Sequence, residues 1–169
     1  FLNMVQAGVI GPNGIRLQVR AMQDDGKTVD DADSTLIETR FNQWAQRGVC
    51  TMDGRQSFVD AQRMCMMTVP RCGVIVLRKV TGRAAGNEFG FAIQFIEADH
   101  LSEDYCRDLG QGRQIYMGVE LDAWGKSVAY HVLNNHPGND TYVWAGQRYT
   151  RIPAEEIMHP FVMDRPGQT

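Results

Sequence analysis

Several features that mark particular protein classes are missing from this sequence. Its 169 residues contain no apolar run near the ~20 residues that span a membrane, and no charged-then-apolar signal peptide opens the chain. Internal repeats and low-complexity tracts are also missing. The formal net charge of −3 offers no basic excess, which argues against a dedicated nucleic-acid binder. The remaining composition, 43% hydrophobic and 22% charged, is ordinary, and we expect one domain over residues 1–169.

The four cysteines lack the spacing of a metal-binding or redox motif. No two of them are separated by two residues, so the zinc-ribbon and thioredoxin patterns are missing. Their neighbours include valine, methionine and glycine, which is typical of core lining. We therefore expect reduced, buried thiols in a cytoplasm for Cys50, Cys65, Cys72 and Cys106.

Histidine is scarce and its positions are scattered. The sequence has His100, His131, His136 and His159, and no pair shows the i, i+4 helical spacing of a metalloprotease. We expect His131 to point outward from a strand and His136 to lie at a turn. His159 should lie at a helix end, where a cation complements the helix dipole. From the spacing of the histidines, we expect no metal site.

Other residues with catalytic chemistry lack partners in the sequence. Four acidic residues lie close together and could hold a cation or form a carboxylate pair, but no loop of regularly spaced oxygen ligands accompanies them. A solvated strand exit is expected for these residues, Glu97, Asp99, Glu103 and Asp104. Ser57 and Ser127 lie outside any G-x-S-x-G elbow, and Cys106 has no recognisable partner. The glycine-rich stretch 110–113 precedes a strand instead of a helix, so no phosphate cradle is expected. We predict no catalytic, cofactor-binding or metal-binding residue.

Apolar spacing predicts two helices in the first half of the chain, preceded by one strand. In the first helix, apolar residues recur three and four positions apart, and Gly48 should end it. The second helix should end before Pro70. The predicted elements are a strand over 15–20, a helix that runs from a cap at Asp33 or Ser34 to Gly48 with its apolar positions over 36–45, and a helix over 57–67.

Period-2 alternation predicts that strands dominate the second half. Residues 73–80 are apolar on both sides at first, which is typical of a central strand, and residues 89–98 should form its antiparallel partner. Residues 100–112 are expected to be irregular. Further predicted elements are strands over 115–121, 128–132 and 142–149 and a short helix from Pro153 to Pro160. The expected fold class is α+β, a mostly antiparallel sheet with two or three helices packed on it.

The segment 118–132 reads as a hairpin by itself. Its sequence, GVELDAWGKSVAYHV, alternates apolar and polar residues on both sides of a Trp-Gly-Lys turn. Gly125 suits this turn because it can take a positive φ without a Cβ clash. The alternation predicts one buried face and one wet face, with Glu120 on the wet one.

This hairpin and the segments that follow it resemble the lambda-type bacteriophage portal proteins. The resemblance rests on the G-V-E-x-D-x-W-G-x-x-V-A-Y-H-V pattern, on His136-Pro137 and on the R-I-P-A-E-E-I-x-H run over 151–159. Residues 41–44 and 93–99 extend it towards the start of the chain. Each pattern is common alone, and their colinear order carries the resemblance.

The resemblance implies a structural virion protein, a head-tail connector of a phage or prophage without enzymatic activity or cofactor. It implies a homo-oligomeric ring of about twelve subunits at one capsid vertex, through which DNA is packaged and ejected. Sequence-specific DNA binding and membrane contact are not part of that role. Implied partners are the large terminase subunit, the capsid and the head-completion proteins, with assembly in the bacterial host cytoplasm. The chain would be a wing-like fragment of a longer portal protein, without the stem and clip.

Two rival classes stay open on the residues alone. A small hydrolase would bring His131 or His100 together with an acidic residue in one pocket. A nucleic-acid-binding module would show a clustered basic face; Arg78, Lys79 and Arg83 could supply one, although an ordinary loop is expected.

The methionine-rich stretch 64–67, with Met52 nearby, has two interpretations. Adaptable core is expected, and packing across subunits of an oligomer is the alternative.

Overall fold

Helices come first along the chain and strands dominate after them, as the α+β prediction requires, and that fold class is confirmed. The computed structural model describes residue 4, residues 6–138 and residues 147–161. The chain divides into two compact units, Phe1–Arg71 with Val80–Gln94 and Cys72–Lys79 with Phe95–Thr169. We refer to them as the first and the second unit. Within the described residues, no helix has the length and apolarity to cross a membrane.

Helix α1 spans Asp31–Trp44 and is capped by Asp30, one position outside the helix. The Asp30 side chain accepts a hydrogen bond of 3.0 Å from the Asp33 backbone N–H, because Asp30 itself is extended. The predicted caps, Asp33 and Ser34, are therefore wrong, since both residues lie inside the first turn. The helix also ends before Gly48, at Trp44.

Helix α2 spans Phe58–Cys72 and is longer than predicted. Ser57 and Asp60 bond to each other at its start: each side chain accepts from the other residue's backbone N–H, at 3.3 and 3.1 Å. Pro70 lies inside the last turn instead of beyond it. Proline removes one backbone donor, and that loss disturbs a helix less at its end than in its middle.

An aromatic cluster lies beside these helices in the first unit. Phe41, Trp44, Phe58 and Phe91 pack with ring centroids 5.2–5.6 Å apart. The Trp44 indole N–H donates a 2.9 Å hydrogen bond to the Phe91 carbonyl. Trp44 is thereby both buried and satisfied, which fixes its ring in one place.

The strand predicted over residues 15–20 is wrong. Two of its backbone N–H groups donate to helix side chains instead of a neighbouring strand: Ile15 to Gln62 at 2.8 Å and Val19 to Glu38 at 2.9 Å. Side-chain acceptors thus replace a sheet ladder, and Ile15 stays exposed.

Among residues 6–138 and 147–161, eight strands form two sheets. The three-stranded sheet has the order β2-β1-β8, so β1 is central as predicted. The five-stranded sheet runs in chain order from β3 to β7, with antiparallel pairing throughout. The strands are β1 Val76–Thr81, β2 Phe91–Ile96, β3 Arg107–Gly110, β4 Arg113–Tyr116, β5 Val119–Leu121, β6 Ser127–Leu133, β7 Tyr149–Pro153 and β8 Ile157–Met158.

The five-stranded sheet differs from prediction at three places. The strand expected over 115–121 is two strands, because Met117 and Gly118 take positive φ values of 49° and 80° and reverse the chain. Strand β3 lies in a segment expected to be irregular. The strand predicted over 142–149 falls mostly outside the described residues, and β7 begins at its last residue, Tyr149.

The helix predicted from Pro153 is a single 3₁₀ turn, Ala154–Glu156. The next residue, Ile157, pairs with Arg78 of β1, so the chain returns to extended geometry at once. The predicted helix to Pro160 is therefore wrong beyond this first turn.

The core of the second unit confirms the buried face of the hairpin. It contains Val119 and Leu121 from β5 and Tyr130 and Val132 from β6, packed with Val76, Ile96, Ile152 and Ile157. The predicted wet face is wrong. Glu120 is only 3% exposed, Ala129, which lies opposite it, is 0% exposed, and the His131 side chain is 12% exposed.

Candidate functional site

The buried carboxylate of Glu120 gathers three basic side chains from three other strands. Arg151 binds it through two nitrogens, with Nε at 2.7 Å from Oε2 and a terminal nitrogen at 3.1 Å from Oε1. Arg113 donates to Oε1 at 2.7 Å, and the His131 Nε2 lies 3.2 Å from Oε2. We call these four residues the Glu120 cluster.

Strand register explains why these residues meet. His131 of β6 lies directly opposite Arg151 of β7, so both side chains occupy the same face of the sheet. Glu120 lies opposite Ala129, which shares that face with His131 two residues on. Arg113, at the start of β4, reaches Glu120 from the other side. One carboxylate therefore joins four consecutive strands, β4 to β7.

The basic partners lower the pKa of Glu120 from 4.5 to about 2, with the hydrogen bond from Arg151 as the largest cause. Burial opposes this shift but is outweighed. The same contact raises the pKa of Arg151. Glu120 is thus ionised at neutral pH, and its pKa lies far from the value that suits a general acid or base near pH 7.

Aromatic rings cover the histidine of the cluster. The Tyr105 ring meets His131 edge-on, with centroids 5.3 Å apart, and stacks on Tyr149 at 4.2 Å and 15°. The Arg148 guanidinium lies 5.5 Å from the centre of the Tyr149 ring. These contacts leave the His131 side chain 12% exposed, whereas the sequence predicted that it points outward.

The His131–Glu120 pair is the arrangement that the hydrolase interpretation requires. A hydrolase would also need a nucleophile beside the histidine. Among the described residues, no hydroxyl or thiol hydrogen-bonds to His131, and Glu120 is already held by two guanidinium groups. The sequence did not identify Glu120 as buried, because the alternation of apolar and polar residues along its strand placed this residue on the solvent-facing side. The signal that could have indicated a buried Glu120 was the presence of arginines, Arg113 and Arg151, on neighbouring strands.

A second group of titratable residues contains Glu97, Asp99 and His136. The His136 Nε2 lies 3.3 Å from a Glu97 carboxylate oxygen and 3.8 Å from one of Asp99. One ligand atom from each residue lies within 4.8 Å of the others, which is close enough for a metal ion. The other two acidic residues of the predicted cluster, Glu103 and Asp104, are exposed and lie outside this group.

The hydrogen bonds of His136 suit a neutral ring that donates to a carboxylate better than a metal ligand. Its Nδ1 accepts a 3.0 Å hydrogen bond from the Gly138 backbone N–H, so Nδ1 carries no proton in this geometry. A neutral ring then keeps its proton on Nε2, the atom that faces Glu97 and Asp99. Metal binding through Nε2 needs the opposite tautomer, in which Nδ1 donates to a neighbour. Glu97 and Asp99 are also 66% and 67% exposed.

The remaining histidines have structural contacts. The His100 Nδ1 lies 2.7 Å from the Leu133 carbonyl, to which it can only donate. His159 lies against Tyr130 and Phe161, and burial lowers its pKa, which favours the neutral ring. The predicted role of His159 as a cation at a helix end is therefore wrong.

The four cysteines are free thiols, and their reduced state in a cytoplasm stays a prediction. Burial is confirmed for Cys50 alone: Cys65 is half-buried, and Cys72 and Cys106 are exposed. Burial raises the pKa of the Cys50 and Cys65 thiols, which makes them poorer nucleophiles.

The residues that the nucleic-acid-binding alternative would use lie in two environments. Arg78 pairs with Glu156 at 2.9 Å, and Arg83 lies exposed in the 3₁₀ turn Gly82–Ala85.

In the methionine stretch, Met64 and Met67 line an open depression of about 370 Å³ on α2, and Met52 is exposed.

Residues 1–169 match the family described as phage portal protein, lambda family. The chain is also similar to a "Probable portal protein" of Halomonas phage phiHAP-1, with 38% identity over 169 residues. The alignment covers 100% of this chain and 32% of that relative, so the chain spans about a third of the relative's length.

Proposed function

The chain belongs to the lambda family of phage portal proteins, and we propose that it forms part of the portal ring at one vertex of the capsid. DNA passes through this ring during packaging and ejection, and the chain serves contacts between subunits and with the capsid. The observation that carries the proposal is the family match over residues 1–169.

The use of the family-like hairpin supports a scaffold role. Its polar residues Glu120 and His131 bind neighbouring strands instead of an open cleft. Its apolar residues Val119 and Tyr130 fill the core. The residues that carry the resemblance thus serve the framework, as expected for a subunit that transmits contacts and catalyses nothing.

The proposal extends to partners. We propose a homo-oligomeric ring of about twelve subunits that meets the large terminase subunit, the capsid and the head-completion proteins. Within each subunit the chain corresponds to a wing-like region, and no residue of it serves as a catalytic, cofactor or metal site. Assembly takes place in the bacterial host cytoplasm.

Electron microscopy of the full-length protein tests this function. The purified protein should form closed rings with a central channel, visible in negative-stain class averages. In parallel, a phage with the gene deleted should make heads that contain no DNA, and a plasmid copy should restore filled heads. Monomers under all assembly conditions, or filled heads from the deletion phage, would contradict the proposal.

A further inference from the structure

One tryptophan stands almost fully in solvent at the tip of the β5–β6 hairpin. Trp124 is 95% exposed, whereas Trp44, the other tryptophan in the described residues, is 7% exposed. Tryptophan buries a large apolar area and is enriched among residues that dominate binding energy. A fully exposed tryptophan therefore needs an explanation that packing within the described part of the chain does not give.

The turn around Trp124 is held in one shape. The Asp122 carboxylate accepts hydrogen bonds from the backbone N–H groups of Trp124 and Lys126, each at 2.9 Å. The Gly125 N–H bonds to the Asp122 carbonyl at 3.0 Å, and the Asp122 N–H bonds to the Lys126 carbonyl at 2.9 Å. The bonds from the Lys126 and Trp124 N–H groups to the carboxylate lower the pKa of Asp122, so the carboxylate stays ionised and keeps both bonds at neutral pH. A preformed turn loses little entropy when its side chain is bound.

The same chain carries a depression whose chemistry suits an indole ring. It lies on α2, measures about 370 Å³ and is lined by Met64 and Met67 with Asp60, Arg63, Thr68 and Arg71. Thioether sulfurs make favourable contacts with aromatic rings and adapt to their shape. Arg71 is exposed at the rim, where a guanidinium can lie over an indole face, the strongest of the cation–π pairs.

We propose that Trp124 of one copy seats in the Met64–Met67 depression of a second copy of this chain. A projecting tryptophan and a methionine-lined depression are different surfaces, so the contact is heterologous, the kind that closes into a ring when repeated. The inference rests on the proposed function, because it names one contact between neighbouring subunits of that ring. It also gives the methionine stretch its role across subunits.

Association of the purified full-length protein tests the contact. Trp124→Ala should raise the dissociation constant between subunits about 30-fold, as expected for an aromatic anchor at the centre of a contact. Tyr116→Ala, which removes another exposed aromatic ring, should change it less than threefold. Both variants should keep the wild-type melting temperature, because neither ring lies in the core. The measurement is sedimentation velocity across a concentration series.

Cross-linking between two separately tagged copies shows which surfaces meet. One copy carries Trp124→Cys and the other carries Met67→Cys, each with the exposed Cys72 and Cys106 replaced by serine. A short bismaleimide should join the two tags in the mixture, and Trp124→Cys with Leu36→Cys should give no product. The inference is overturned if the first pair gives no product. It is also overturned if one chain that carries both Trp124→Cys and Met67→Cys forms the link within itself.

The outcomes also separate the inference from the function beneath it. If Trp124→Ala forms rings as readily as the wild type, the inference fails and the portal function stands. If Trp124→Ala rings assemble but fail to join the capsid, the tryptophan binds another virion protein and the inference again fails. If the wild-type protein forms no rings, the proposed function fails as well.

Discussion

The two units of this chain use different chemistry to hold their elements together. The first unit contains an aromatic cluster, in which one indole N–H donates to a backbone carbonyl. The second unit adds an ion cluster to its apolar core, with a carboxylate whose side chain is 4% exposed between two arginines and a histidine. Aromatic packing contains no titrating group. The Glu120 cluster contains a buried carboxylate that titrates. Of the two clusters, we therefore expect only the Glu120 cluster to respond to acid.

Replacing the central ring of the aromatic cluster should have the largest effect. Trp44→Ala should lower the free energy of unfolding by about 3–5 kcal/mol, because it removes a buried indole and leaves a cavity. Trp44→Phe, which keeps an aromatic ring but loses the hydrogen bond to the Phe91 carbonyl, should cost less, about 1–2 kcal/mol. Urea denaturation followed by circular dichroism measures both values.

Leu36→Ala is the matched control on the same helix. Leu36 is 57% exposed, so its truncation should change stability by less than about 0.5 kcal/mol. The loss from Trp44→Ala should also be the same at pH 7 and pH 4. A loss that shrinks in acid would show that charge contributes to the aromatic cluster and would break the comparison.

Glu120→Gln should destabilise the second unit by about 3 kcal/mol at neutral pH. The substitution keeps the shape of the side chain but leaves Arg113 and Arg151 without their anion. The folded pKa of Glu120 is about 2, against an ordinary value of 4.5, and that difference corresponds to about 3 kcal/mol. Hydrogen exchange should rise in β5 to β7, and Glu103→Gln, at an exposed carboxylate, should leave it unchanged.

Acid should remove this difference. Because the folded pKa lies below the unfolded one, the contribution of Glu120 is complete above about pH 4.5 and is lost as the pH falls through about 2. Wild type and Glu120→Gln should therefore converge in stability near pH 2. Parallel curves between pH 5 and pH 2 would show that Glu120 is not ionised more readily in the folded state.

The same contrast shows what the sequence could predict. Alternation identified the buried face of the hairpin, because packing there depends on period 2 within each strand. It placed Glu120 in solvent, because the groups that stabilise its charge are remote: Arg113 is 7 residues away and Arg151 is 31. A charge is buried when such partners converge, and strand register decides that convergence.

Turns show the same limit on a smaller scale. Gly125 was identified as a turn residue, and its φ of 80° agrees with that prediction. The turn at Met117 and Gly118 was missed, since a residue other than glycine rarely takes a positive φ such as the 49° of Met117. The Gly118 N–H donates to the Tyr105 carbonyl, and the Gly118 carbonyl accepts from the His131 N–H. Both partners are distant from Gly118 in the sequence. Tertiary contacts thus select a turn that local preference does not indicate.

The cap of α1 provides a smaller, local effect in the first unit. Asp30→Ala should lower stability by about 1 kcal/mol, because the Asp33 N–H loses its acceptor. Asp30→Asn should retain most of that stability, since its amide oxygen accepts the same bond. Asp31→Ala, one residue into the helix, should cost about 0.5 kcal/mol or less by its effect on the helix dipole. Equal losses at Asp30 and Asp31 would mean that charge, not the cap, stabilises this end.

The ion pair between Arg78 and Glu156 should have the smallest effect and separates two kinds of charge within the second unit. The pair is 2.9 Å long, as close as the contacts of Glu120, but its side chains are 32% and 35% exposed. Water and salt screen such a pair, so Glu156→Gln should cost less than about 1 kcal/mol. In 0.5 M NaCl that cost should vanish, whereas the loss from Glu120→Gln should persist, because buried pairs are screened much less. Urea denaturation at both salt concentrations measures the four values. If 0.5 M NaCl reduced both losses by the same amount, the difference in exposure between the two pairs would not explain why they contribute differently to stability.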